Sequence, residues 1–216
     1  MDTQSVLDFL KKHPDFLVEH ADALGVRMRD EKVRSFAQAQ LAASQLKIEK
    51  MANQLQDLYE ASEANRATMS RVLALDVALL RANTVGQLVQ ALYESLEREF
   101  GLQQFRLLLI AEPKNKTRIP DEITVMQAKV RAAIGALEAP KLGSKISAEM
   151  RALLPENDAA AESFLQLPVP VGGQTGALIL AADEDVNRFA ADLPTEWIER
   201  MAEAVGAALS RMMGYR

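Results

Sequence analysis

The 216-residue sequence predicts an α+β protein, an antiparallel sheet with flanking helices, preceded by a long N-terminal helix and a small helical knob. Three observations carry that prediction. From Val26 to Val85 the chain holds neither Gly nor Pro, and inside that run Ile48, Met51, Leu55 and Leu58 step by three, four and three residues, the a/d rhythm of a coiled-coil seam. Further on, Phe164 to Val171 and Gly176 to Ala182 are strand-like runs joined by Gly172-Gly173-Gln174-Thr175, the pattern of a hairpin. A final apolar stripe, Ile198, Met201, Val205, Leu209 and Met212, has helical period. The expected division is a knob over 1–25, a dimerising rod over 26–82 and a sheet domain over 83–216.

In the knob, Val6, Phe9 and Leu10 form one apolar face and Phe16, Leu17 and Leu24 another, separated by His13-Pro14. Proline fixes its own φ and pushes the residue before it out of the helical region, so two short helices are expected, the second capped by Asp15. His13 and His20 are the only histidines and lack a metal-ligand set, which assigns them packing or capping. In the rod, the heptad extends to Leu41 and Ser44 before the clean seam and to Ser62, Asn65, Met69 and Val72 after it. Ser62 and Asn65 predict a weaker stretch, with a register-setting buried Asn as the alternative. A small break is expected within so long a helix, and the other arrangement open to it is one long helix packed along its own domain.

Asn83 and Thr84 offer an N-cap for a helix with its stripe on Val85, Leu88, Val89, Leu92 and Leu96, stopped at Gly101. A strand follows over Gln104 to Ala111. An amphipathic helix is expected over Asp121 to Leu137, a short strand or turn over Leu142 to Ile146, and a helix over Ser147 to Leu154 closed by Pro155. The last helix begins near Pro194.

Composition excludes several functions. With 49% hydrophobic and 25% charged residues the chain buries one good core, and with no cysteine it has no disulfide, thiolate metal site or cysteine nucleophile, in keeping with a reducing cytoplasm. No apolar run approaches the ~18 residues of a membrane span, and the N-terminus lacks the pattern of a secretory signal. A net charge of −5 opposes phosphate backbones, and the one locally basic stretch, Arg27 to Arg34, also holds Asp30 and Glu31, so nucleic acid is not an expected partner. No metal, cofactor or catalytic set is read. Ser144, Ser147 and Ser163 have no histidine in the same domain, Gly172-Gly173 is a turn without a phosphate-binding helix, and Asp183-Glu184-Asp185 reads as a solvated turn.

The segment Leu88 to Gly101 leading into Phe105 to Ile110, then Ser163-x4-Pro168-Val169, Gly172-Gly173, Gly176-Ala177-Leu178-Ile179-Leu180, Phe189 and the terminal stripe together resemble a GAF-like domain over about Leu73 to Met213. The front end, VLDFLKKHPDFLVEHADAL before a long helix, resembles the bacterial DUF484 family, proteins of unknown function with a GAF-like domain. Absence of cysteine excludes the cysteine-dependent relatives. The cyclic-nucleotide signature is not reproduced, Asn187-Arg188-Phe189 being too compressed.

Pairing the hairpin across a four-residue loop sets Val169 against Leu178, Leu167 against Leu180 and Leu165 against Ala182 on an apolar face. The opposite face then carries Gln166 and Ile179, and by alternation Arg106, Leu108 and Ile110 of the first strand join it. The resemblance implies that this side, covered by Thr117 to Leu154, encloses a ligand pocket. The candidate ligand residues are therefore Arg106, Leu108, Ile110, Gln166 and Ile179, with Arg106 reading an anion or, alternatively, pairing with Glu138, Glu149 or another local carboxylate. The expected function is a non-enzymatic, cytoplasmic, homodimeric GAF-like sensory or regulatory protein, joined through Ile48, Met51, Leu55 and Leu58, that takes a small ligand and signals to a separate protein. The alternative is a scaffold with a degenerate pocket.

Overall fold

The computed structural model describes residues 2–25, 30–155 and 160–215, with the side chains of α3 described from residue 38. The expected start of the rod and much of the basic Arg27 to Arg34 stretch lie outside the described residues. The elements are α1 (Thr3–Lys12), α2 (Phe16–Glu19), α3 (Asp30–Arg81), α4 (Val85–Arg98), β1 (Gln104–Leu109), α5 (Ala128–Gly135), β2 (Lys141–Gly143), α6 (Ala148–Arg151), β3 (Ser163–Val171), β4 (Gln174–Asp183) and α7 (Glu196–Met213). Contacts divide the chain into two compact units, 1–63 and 64–216.

In the first unit, His13 leaves the helical region with φ −128° and ψ 70°, as its following proline demands. The rings of Phe9 and Phe16 meet edge-on at 5.1 Å, and those of His13 and His20 pack on them at 4.8 and 4.5 Å, so both histidines serve packing. Asp15 stands at the N-cap of α2 but its side chain makes no cap hydrogen bond, and its backbone is already helical. No break appears among the described residues of the rod: α3 is one helix of 52 residues, free of Gly and Pro throughout.

The second unit is a four-stranded antiparallel sheet in the order β1-β4-β3-β2. Thr84 caps α4 by accepting from the Gln87 N–H at 3.2 Å, and Gly101, in left-handed backbone at φ 66°, turns the chain back into β1. The stripe of α4 is buried together with Val72, Leu75 and Leu79 of α3 and Met201, Val205, Leu209 and Met212 of α7. These helices cover the sheet face that carries Leu107, Leu109, Leu165, Leu167, Val169, Ala177, Ile179 and Ala181. Val72, expected in the rod's seam, is thus in the domain core. Val72 shares a helix face with Leu75 and Leu79, three and seven residues on, and all three are buried, whereas Leu73 beside it is 53% exposed.

The other sheet face carries Leu108, Phe164, Leu178, Leu180 and Ala182, packed under Val125, Val130, Ile134, Leu137, Met150, Leu154 and Ala161. The helix expected over Asp121 to Leu137 is shorter. Asp121–Ile123 form a 3-10 turn, and Thr124 bridges Leu109 in parallel while the Val125 N–H donates to the Leu109 carbonyl at 3.1 Å, so the helix starts only at Ala128. The helix expected over Ser147 to Leu154 is likewise reduced to Ala148–Arg151, capped by Ser147.

The hairpin register differs from the expected one by a single residue. Gly172 and Gly173, at φ 64° and 86°, form a two-residue turn that pairs Val171 with Gln174. A bulge then inserts Gly176, after which Val169 faces Ala177, Leu167 faces Ile179 and Leu165 faces Ala181. The carbonyl of Gly176 accepts from both the Ile110 and Ala111 N–H groups, at 2.9 and 2.8 Å, which fixes the bulge against β1. Because side chains alternate, this one-residue shift exchanges the two faces of β4.

β2 pairs only with Phe164 to Gln166, leaving the outer edge of β3 beyond Gln166 without a strand partner among the described residues. Pro168 and Pro170 lie there, consistent with the confinement of proline to open edges and bulges. On the helical side α7 approaches β3 so closely that a Cβ at Gly206 would sit 2.1 Å from the Pro170 carbonyl oxygen. Gly206→Ala must push α7 off the sheet, an overpacking cost of about 2 kcal/mol or more, seen as a lower urea midpoint than wild type. An unchanged midpoint would show that the helix can shift at no cost.

Candidate functional site

The register aligns Arg106 of β1 with Leu180 of β4, Leu180 with Gln166 of β3, and Gln166 with Lys141 of β2. Directly paired residues share a face, so Arg106 and Gln166 do stand on one side of the sheet, in a single row, as expected from alternation. Leu108 and Ile110 are on that side too; Leu108 is buried and Ile110 half-buried against the cover. Ile179 is not. It belongs to the helix-covered face, at 1% exposure among Leu107, Leu167 and the α4 and α7 stripes, because the Gly176 bulge reversed the parity of β4.

The side chains above this row decide what it can do. Arg106 donates from Nη1 to the Leu153 carbonyl at 3.1 Å, tying the segment after α6 to the sheet. Neither carboxylate proposed as its partner is placed with it by a contact. Glu149 lies 3.5 Å from Lys129, and its carboxyl is held below the ordinary range by its own backbone N–H and by that ammonium. Glu138 lines a different concavity, with Pro140, Pro168 and Pro170. Arg131 similarly donates to the Val125 carbonyl and to Glu112, and Thr175 to the Leu137 carbonyl at 2.8 Å, so polar contacts from three sides clamp the cover down. Between them the space over Leu108, Leu178 and Leu180 is occupied by Val130, Ile134, Met150 and Leu154, all buried.

On the helix-covered side a cavity of about 300 Å³ opens between α3, α4, β2, the loop after β4 and α7. Phe100, Leu142, Leu165, Phe189, Trp197 and Ile198 supply apolar walls, with Thr68, Arg71 and Arg188 among the polar lining. None of these was singled out as a site residue from sequence. The available signal was Trp197, the only tryptophan, which stands beside the apolar stripe of α7. Elsewhere, Tyr93 accepts from the Leu107 N–H at 3.1 Å; burial pushes its phenol pKa up, partly offset by that N–H. The Asp183 to Asp185 turn is closed by its own side chains, which accept from the Asp185 and Asn187 N–H groups, and no metal-binding cluster of His, Asp and Glu occurs among the described residues.

The four rod residues are all exposed in the single chain: Ile48 65%, Met51 51%, Leu55 67% and Leu58 67%. In the second unit Met69, Leu73, Val77 and Leu80 are exposed on the same helix at steps of four, four and three. No described helix is long and apolar enough to cross a membrane.

A family model described as a protein of unknown function, DUF484, matches residues 1–213, and the chain belongs to that family. No curated protein is similar enough to match it. The GAF domain of a phosphoenolpyruvate-protein phosphotransferase from Acinetobacter is similar in structure at 10% identity, with 68% of this chain and 95% of that one covered and a TM-score of 0.51. The GAF domain of the potassium sensor histidine kinase KdpD from Escherichia coli is similar at 14% identity, with 67% and 94% covered and a TM-score of 0.44. At such identities the likeness is one of fold, and the fold is GAF-like α+β.

Arg106→Gln removes the charged donor of the Leu153 carbonyl. The expected loss is about 1–2 kcal/mol of apo stability, read as a lower urea midpoint without any added ligand. Unaltered apo stability would return Arg106 to the role of a free anion reader.

Proposed function

We propose that this DUF484 protein is a non-enzymatic, homodimeric regulatory adaptor of the cytoplasm, which joins two GAF-like domains through α3 and passes its signal to a separate protein partner. The observation that carries the reading is the exposed stripe of Ile48, Met51, Leu55 and Leu58. Four large apolar side chains in a/d spacing, each at least half-exposed, are stabilised when a second helix removes them from water, at about 25 cal/mol per Å² of apolar surface. Two heptads are short for independent pairing, and Met69, Leu73, Val77 and Leu80 offer additional apolar surface on the domain's share of the helix.

The filling of the sheet's second face supports the adaptor over a sensor that takes its ligand there. A small anion between sheet and cover would have to displace Val130, Ile134, Met150 or Leu154 and compete with the Leu153 carbonyl for Arg106. The non-enzymatic reading rests on composition, since the serines of the domain have no histidine or cysteine partner.

Leu55→Asp places a charge at the centre of the stripe. The expected outcome in sedimentation equilibrium is a shift from dimer toward monomer, with the second unit still folded by circular dichroism, because residue 55 lies outside that unit. A dimer mass unchanged by the substitution would remove α3's first half from the interface.

A further inference from the structure

We propose that the helix-side cavity is a binding site for a small amphipathic monoanion, an apolar body of alkyl or aryl type carrying one carboxylate. This goes beyond the adaptor reading and does not depend on it. The cavity lies on the sheet face opposite Arg106 and wholly within residues 64–216.

Size, lining and charge select the ligand class. About 300 Å³ is the lower end of ligand-pocket volumes, which run to about 1,000 Å³, so the body is compact. Its walls are Leu142, Leu165, Phe189, Trp197 and Ile198, side chains that reward apolar surface and offer few hydrogen bonds. No Asp or Glu lines it, although the chain carries a net charge of −5, whereas two arginines do. Arg188 is already engaged, donating to the Phe100 carbonyl and lying 4.0 Å from the Asp183 carboxylate. Arg71 has no hydrogen bond or ion pair among the described residues, and the residue is exposed. Thr68 stands one turn before it on α3, with its hydroxyl donating to the Ala64 carbonyl at 3.0 Å. An unpaired guanidinium beside an apolar cavity recognises one end of an amphiphile while the walls take the other. At 100° per residue, Arg71 and Thr68 lie on the side of α3 away from Met69, Leu73, Val77 and Leu80, so pairing through those residues leaves the cavity open.

Trp197 in the cavity wall is the only tryptophan and reports occupancy directly. The full-length protein is titrated with octanoate and, separately, with octanol, reading Trp197 emission and, in parallel, heat by calorimetry. Saturable octanoate binding is expected, tighter than octanol. Arg71→Gln should weaken octanoate about tenfold and leave octanol unchanged, which isolates the charge-assisted contact. Arg81→Gln, an arginine of the same helix that does not line the cavity, should change neither, and Leu142→Phe, which fills the cavity, should weaken both. A thermal melt of each variant confirms that it is folded. No saturable heat or emission change with wild type, or an octanoate-to-octanol ratio unaffected by Arg71→Gln, overturns the proposal.

Discussion

Strand β4 is buried on both faces, so the parity with which it enters the sheet decides which of its side chains serve which core. The bulge at Gly176 sets that parity. With it, Ala177, Ile179 and Ala181 fit beneath α4 and α7, while Leu178, Leu180 and Ala182 face the cover of α5 and α6. A Cβ at Gly176 would sit 2.5 Å from the Val171 Cβ and 3.0 Å from that of Ala111, so the close packing that holds the bulge also requires a glycine there. Two of the three helix-facing residues are alanines, and Leu178 and Leu180 on the other face leave little room for anything beneath the cover.

Local chemistry made much of this readable from the sequence. Thr84 and Gly101 bracket α4 because a cap and a left-handed stop are properties of single residues, and the stripes of α4 and α7 follow from period alone. Arg106, Leu108 and Gln166 share a face by alternation along strands whose pairing is regular between them, and Ile110 follows on that side just before the Gly176 bulge. Ile179 was misplaced because the bulge depends on Ala111 and Val171, contacts that a strand's own pattern does not record. The shortening of the 121–137 helix has the same origin, since the Leu109 carbonyl captures Val125 from outside the segment. The helix-side cavity draws on five separate parts of the chain, and none of those parts carries a motif by itself.

Helix α3 performs different work on its different sides. Val72, Leu75 and Leu79 close the core of the domain, Met69, Leu73, Val77 and Leu80 face solvent, and Arg71 stands at the cavity. A ligand that touches this helix and a subunit that packs on it would therefore act on one continuous helix. Coupling between them needs only that the ligand favour one packing of α3 over another, with no separate relay.

The two prolines on the outer edge of β3 bear on what happens at high concentration. An open strand edge is a template on which a second chain can grow a continuous sheet, and the short β2 leaves such an edge beside a strand rich in Val, Leu and Phe. Lacking amide hydrogens at Pro168 and Pro170, that edge cannot supply a full ladder, so runaway fibre-like growth is blocked at the point where the sheet is least protected. Any contact between copies of the chain is thereby steered away from backbone pairing and toward side chains on the helices, where it can be both reversible and limited in number.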